Sequence, residues 1–278
     1  MNLHARNKLF DQYLPYFILT VIGICFVLPL IWVVLASLDP NANAILKLPT
    51  RPSLENYVSV ITKSSNRHAF AIGLVISCFQ TIFVVIFAGL AAYPLSRYQM
   101  KHKKMFLYTI LFMTSLPITA VMIPVYEEFV AINLYDSVFG VILFMTASSL
   151  PYAIWMMKNF MDSVSIELDE AARVDGATTL QSIRKIIMPL MVPGIFTVAV
   201  FTFSGSWGNF FVPFILLSSN DNLPAAVQLY QFFGQHGLIA YGPLAAYSIL
   251  YAIPSILLYA ISQSYMSKGF SMQGATKG

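Results

Sequence analysis

EAARVDGATTLQSIRKIIMP, Glu170–Pro189, is a polar and charged island in a chain that is 58% hydrophobic and only 10% charged. A soluble domain carries about a quarter of its residues as charges. The stretches flanking the island are long enough to cross a bilayer, so the island lies in water between two spans. Its own pattern predicts a pair of helices. Ser163 or Ser165 caps the first, and Glu167, Asp169 and Glu170 complement its dipole in the opening turns. Asp169 and Arg173 are i,i+4 partners, and Ala171 and Ala172 are small enough to let another surface approach. Gly176 can take the left-handed conformation that ends a helix. Thr178 and Gln181 then fit a capping box, and Ile183, Ile186, Ile187 and Leu190 form an apolar stripe on the second helix. Pro189 is expected near its end, with Pro193 in the first turn of the next span. A plain connector between helices needs about two to eight residues; a capped helix pair is a docking element.

The rest of the 278-residue chain, with mean hydropathy +0.71, reads as an all-α polytopic membrane protein. A helix needs roughly 20 apolar residues to cross the hydrocarbon core. Six runs qualify: 13–35, 69–95, 105–126, 138–157, 193–217 and 244–263. The first is longer than a signal-peptide core and reads as a retained anchor. With the N-terminus inside, 12 Lys and Arg fall inside and 4 outside, out of the 16 in the chain, while the acids split evenly. That asymmetry places both termini and the island in the cytoplasm. It also accounts for the net charge of +4 without a nucleic-acid partner. The expected organisation is a tail at 1–12, a six-helix transmembrane domain at 13–268 with a cytoplasmic loop at 162–190, and a tail at 269–278. Cys25 and Cys78 lie in apolar runs and read as small packing residues. Pro117, Pro124, Pro151, Pro213 and Pro254 interrupt spans, as simple kinks or as hinges lining a path.

Several functions are disfavoured by what the sequence lacks. No charged side chain or histidine falls well inside a span, which argues against an ion-coupled carrier. His4, His68, His102 and His236 form no ligand cluster, and no Gly-x-x-x-x-Gly-Lys-Ser/Thr phosphate loop is present. If the chain moves a solute, the energy would come from another chain.

The run from Glu170 through Asp175-Gly176-Ala177 to Ile186 and Pro189 resembles the EAA loop of ATP-binding-cassette (ABC) importer permeases. SLDP (Ser37–Pro40), LENY (Leu54–Tyr57), AAYPLSRY (Ala91–Tyr98), LPYAIWMMKNF (Leu150–Phe160) and the tail Gly274–Gly278 are similar to the maltose-permease class, specifically its shorter MalG-like subunit. The resemblance covers nearly the whole chain. It implies the type I importer (MetI-like) fold, a second, unlike MalF-like permease, two copies of a cytoplasmic ABC ATPase, an extracytoplasmic solute-binding protein and a location in the bacterial plasma membrane. It implies that this chain binds no cofactor, ATP and magnesium being used by the partner ATPase. Carried over, Glu170, Ala171, Ala172, Asp175, Gly176 and Ala177 form the ATPase-coupling helix and turn, with Ile186 and Pro189 completing the motif; the tail after Lys268 would also reach the ATPase pair. The implied cargo is a carbohydrate, most simply an oligosaccharide, with polyols and glycerol phosphates as alternatives. One run departs from the family: Trp207-Gly208-Asn209-Phe210 stands where a Trp-Asn-acid-Phe pattern is common, which puts substrate details in doubt.

Two further sets follow from residue chemistry. Ser206, Trp207 and Asn209, with Gln80, are candidates for the substrate path, because an indole and amides suit a sugar; helix packing is the plainer reading. Asn220, Asp221, Gln228, Tyr230 and Gln231 in the loop 218–242, which also holds Gln235 and His236, would face the binding protein, or form a solvated loop with an amphipathic helix. The segment from Asp39 to His68 reads as extracytoplasmic packing.

Overall fold

The computed structural model describes residues 3–233 and 239–275, with side chains described from 13 to 233 and from 239 to 263. Gln235 and His236 lie outside the described residues, as do residues 276–278 of the tail. In chain order the helices are α1 (Leu3–Ser37), α2 (Glu55–Thr62), α3 (Ser64–Arg97), α4 (Lys103–Met113), α5 (Ile118–Ala131), α6 (Val138–Asp162), α7 (Ile166–Val174) and α8 (Thr179–Ser182). A π turn at Ile183–Ile187 leads into α9 (Met188–Trp207), followed by α10 (Phe211–Leu216), α11 (Ala225–Gln228), a 3-10 turn at Leu229–Phe233 and α12 (Tyr241–Ala275). Among the described residues five helices are long and apolar enough to span a membrane, or six if one bent pair counts as a single span. The expected tails at 1–12 and 269–278 are helical extensions of α1 and α12 as far as they are described.

Two expected spans are broken. The run 105–126 is α4 and α5, inclined at 89°. Pro117 sits at the bend with ψ 122°; it offers no N–H and forces the preceding residue out of helical geometry. The run 193–217 ends as a helix at Trp207 and resumes at Phe211. At its other end, the expected boundary at Pro189 and Pro193 does not exist. The helix begun at Thr179 continues through both prolines to Trp207. Pro189 cannot donate to Lys185, and the backbone adjusts by widening into the π turn, where Met188 N–H donates to Ile183 C=O, five residues back.

The chain forms two compact units: Met1–Ser64 with Leu229–Ala252, and Ser65–Gln228 with Ile253–Gly278. In the first, the SLDP and LENY segments are knit together. Asn56 Nδ2 donates to the carbonyls of Ser37 and Asp39, both at 3.0 Å, and the Ser37 and Tyr57 hydroxyls are 2.9 Å apart. The apolar run of α1 is unpacked on its own chain, every residue from Tyr13 to Ile31 being exposed. Cys25 and Cys78 are also exposed, which corrects the expectation that they pack inside. In a bilayer an outward face is as apolar as an inward one, so composition does not separate the two.

In the second unit, α3, α6 and α9 share a core of Val84, Ala88, Ala92, Ala153, Met157, Phe160, Ile187, Met191 and Val198. Gly194 permits the α6–α9 approach, since a Cβ there would stand 2.6 Å from Phe160 Cβ. A second core packs α10 and the segment after it against α5 and α6 through Met122, Phe129, Ile142, Met145, Val212 and Leu216.

Candidate functional site

The island folds as two short helices joined by a closed turn. Ser165, not Ser163, caps α7, its Oγ accepting from Glu167 N–H. Gly176 has φ +84°, Gly176 N–H donates to Arg173 C=O at 3.1 Å, and Ala177 N–H donates to Ala172 C=O at 2.9 Å. This is a Schellman closure, which satisfies the orphan carbonyls at a helix end. Thr178 and Gln181 form the expected reciprocal capping box at the start of α8. Ala172 is buried at 5% exposure and Ala177 is half-buried, and both take part in the closure through their backbones. Glu170, Ala171, Asp175, Gly176 and Pro189 are exposed, and Ile186 is half-buried. The tip adds two apolar side chains that the motif does not signal: Val174 is 88% exposed and Leu180 is 73% exposed.

A buried carboxylate anchors this pair. Asp169, only 2% exposed, accepts from Tyr93 Oη at 2.9 Å and from Arg173 Nη2 at 3.2 Å, and its other oxygen accepts a short bond from Ser182 Oγ. Arg173 Nη2 also donates to Tyr93 Oη at 3.2 Å. Burial alone would push the Asp169 carboxyl up. The Ser182 and Tyr93 hydroxyls and the Arg173 guanidinium, with a contribution from Arg97, instead hold it below the usual carboxylate range. Nearby, Arg97 Nη2 donates to Val164 C=O at 2.9 Å, and Ser96 Oγ donates to Asp162 Oδ1 at 2.7 Å. One carboxylate thus ties α7 both to α8 and to the end of the membrane helix α3. The Asp169–Arg173 spacing is readable in the sequence; the Tyr93 and Ser182 contacts are not.

The candidates at mid-span separate into two groups. Gln80 and Asn209 line a common cavity of about 250 Å³ with Ser149, Tyr152, Phe201 and Thr202. Asn209 lies in the break between α9 and α10, where its Oδ1 accepts from Val212 N–H at 3.0 Å. Ser206 and Trp207 are buried and do not line that cavity. Trp207 stacks on Phe203 and packs against Phe70, and a Cβ on Gly73 would lie 3.0 Å from its ring. Successive helical residues point in different directions, so the four could not share one face.

In the loop 218–242, Asn220, Asp221, Tyr230 and Gln231 are exposed. Gln228 is not: it is 2% exposed, and its Nε2 donates to Asn66 Oδ1 at 3.4 Å. That corrects its expected outward position, because α11 is a four-residue helix whose inner face is buried. The loop is held by an acid that sequence reasoning passed over. Asp136, with φ 56°, accepts from Ser218 N–H at 2.9 Å, Ser219 N–H at 3.1 Å, the Ser219 hydroxyl and Asn222 Nδ2. Burial pushes this carboxyl up, but the Ser219, Ser218 and Asn222 donors prevail and hold it at about 2.

Long apolar helices carrying a capped and anchored helix pair fit a membrane component that docks a partner. The chain belongs to the family of binding-protein-dependent transport system inner membrane components, which matches residues 84–268. It is accordingly an ABC importer permease, a transporter subunit and not an enzyme. Over 88% of its length it is 28% identical to the sulfoquinovosyl glycerol transport system permease of Agrobacterium fabrum, covering 87% of that protein. It is 27% identical to the trehalose/maltose transport system permease of Thermococcus litoralis, over 94% of this chain and 96% of that one. Its fold matches a chain of a bacterial ABC transporter involved in import of the acidic polysaccharide alginate, with a TM-score of 0.83 at 22% identity, covering 95% and 99% of the two chains.

Proposed function

We propose that this chain is one of two unlike permease subunits of a carbohydrate importer in the bacterial plasma membrane, with both termini and the segment 162–190 in the cytoplasm. An external binding protein delivers the sugar. A pair of ABC ATPases, using ATP and magnesium, supplies the work. The two relatives above are permeases of sulfoquinovosyl glycerol and trehalose/maltose transport systems, which supports a carbohydrate cargo, and the Lys and Arg asymmetry supports the orientation.

The observation that carries the coupling role is the tip of the helix pair. Val174 and Leu180 stand almost fully in the open beside exposed Glu170 and Ala171, on helices whose inner faces are fixed by Asp169. Exposed apolar side chains on an element fixed in this way are available to a protein partner, and their position beside the Glu170–Ala171 run supports docking there. The ATPase grips this tip and moves it as a unit with α3 and α9. Charge reversal by Glu170→Arg is expected to lower recovery of the ATPase on co-purification with the permease pair. Unchanged recovery would count against docking at this tip.

A further inference from the structure

Gln80 is a buried polar side chain at mid-span with one of its two polar atoms left open. It is 2% exposed, and its Nε2 donates to Met145 C=O at 3.0 Å and to Ser149 Oγ at 2.9 Å. Its Oε1 is buried with no partner. A buried acceptor left open is costly, and in a native structure such a group calls for an explanation. The residue is the seventeenth of 34 in α3, so this acceptor lies at the middle of the membrane helix.

The cavity that Gln80 lines has the chemistry of a sugar hydroxyl cluster. Ser149, Thr202 and Tyr152 supply hydroxyls, Asn209 an amide, and Phe201 an aromatic face. Tyr152 and Phe201 are each about half exposed, at 50% and 49%, and Ser148, Ser204, Gly205 and Gly208 are exposed beside them. Ser148 already bonds the Met145 carbonyl, but lipid would leave the Tyr152 and Ser204 hydroxyls unsatisfied, so this face meets water, substrate or protein. The wall also includes the α9–α10 break. Irregular backbone at membrane depth is tolerated where it lines a cavity, and transporter sites are commonly built at such discontinuous helices. At about 250 Å³ the space falls just below the range of about 300–1,000 Å³ that accommodates a drug-sized ligand. It suits one sugar unit of a longer substrate.

None of the residues lining the cavity carries a formal charge. A carboxylate or sulfonate placed there would lose its hydration with no cation to replace it. The structure assigns this chain its own saccharide subsite, lined by Gln80, Ser149, Tyr152, Thr202 and Asn209 and selective for neutral over acidic sugars. The Tyr152 and Thr202 hydroxyls and the Asn209 amide bond sugar hydroxyls there, with Gln80 in the wall behind them, and Tyr152 and Phe201 flank the ring. The assignment rests on the carbohydrate reading above and narrows it, since relatives with either kind of cargo fit the family equally well.

The test uses the complete importer, with both permeases, ATPase and binding protein, in proteoliposomes. Labelled trehalose, maltotriose and arabinotriose serve as neutral probes and alginate trisaccharide as the acidic one. Thr202→Val and Tyr152→Phe each remove one hydroxyl at a half-buried or exposed position, with little effect on folding. Loss of a neutral hydrogen bond of about 0.5–1.5 kcal/mol corresponds to an increase of about two- to tenfold in the half-saturating concentration for uptake. The expected result is neutral-sugar uptake by the wild type, that increase in each variant, and an altered ranking of the neutral probes. Unaltered half-saturation and ranking in both variants would overturn the subsite while leaving the carbohydrate reading intact. Preference of the wild type for the acidic probe would overturn its selectivity. A wild-type complex that moves none of the four would overturn the carbohydrate reading itself.

Discussion

Asp169 shows how much one side chain can organise. Its carboxylate is the shared acceptor for Tyr93, Arg173 and Ser182, which lie on three different elements. Asp169→Ala strands two hydroxyls that are buried in the native fold. At about 1–3 kcal/mol for each group left unpaired, the variant should lose about 2–6 kcal/mol, seen as a lower melting temperature of the purified complex. An unchanged melting temperature would show that the network does not hold the pair. The coupling consequence should exceed the stability one, because the tip would no longer move rigidly with α3. Gly176 acts differently. Its φ of +84° meets open space, so substitution is opposed by backbone strain and not by a clash. Gly176→Val should distort the Schellman turn at a cost of roughly 1–2 kcal/mol, with the spans still inserted. Gly176 and the capping box of Thr178 and Gln181 are legible in the sequence because each depends on neighbours a few positions away. Tyr93 is 76 residues from Asp169, and nothing local announces that contact.

Among the elements, the π turn and the Asp136 clasp each make a separate prediction. The π turn at Ile183–Ile187 sets the rotational register between α8 and α9. Deleting Lys185 would return the chain to α-helical spacing and rotate α8 by about 100° relative to α9. Ser182 would then leave Asp169. The expected result is a complex that inserts and assembles but hydrolyses ATP without moving sugar; normal uptake would show that the register is not transmitted. Sequence periodicity missed this turn, since the apolar stripe Ile183, Ile186, Ile187 and Leu190 reads as an ordinary helix, and in the structure Ile187 is buried while Leu190 is 40% exposed. The Asp136 clasp is an electrostatic device. Its carboxyl is held at about 2, below the ordinary value of about 3.9. A depressed acid stabilises the fold fully above the ordinary value, and that contribution is lost as pH falls through the depressed one. At neutral pH Asp136→Asn should therefore be less stable than wild type, and the gap should narrow between about pH 4 and pH 2. A gap independent of pH, followed by thermal unfolding, would remove the carboxylate from the account.

For the whole molecule, composition and charge placement were enough to make the chain a polytopic helical protein, because bilayer thickness fixes span length. They could not show where spans break. The bend at Pro117 was foreshadowed by a proline, whereas the gap at Gly208–Phe210 was not, since glycine is frequent in unbroken membrane helices. Nor could they separate Gln80 and Asn209, which share a cavity, from Ser206 and Trp207, which pack away from it. The path residues depend on which face each helix turns inward, and in lipid both faces are apolar. The central claim is that ATP hydrolysis in partner chains drives sugar across the membrane through the helix pair around Gly176. Saccharide uptake by proteoliposomes bearing the complete complex, with ATP sealed inside and no ion gradient, tests it most directly. The account predicts uptake that requires both ATP and the binding protein in wild type, and that is lost in the Gly176→Val complex although the ATPase remains bound. Uptake without ATP, or full uptake by the Gly176→Val complex, would contradict it.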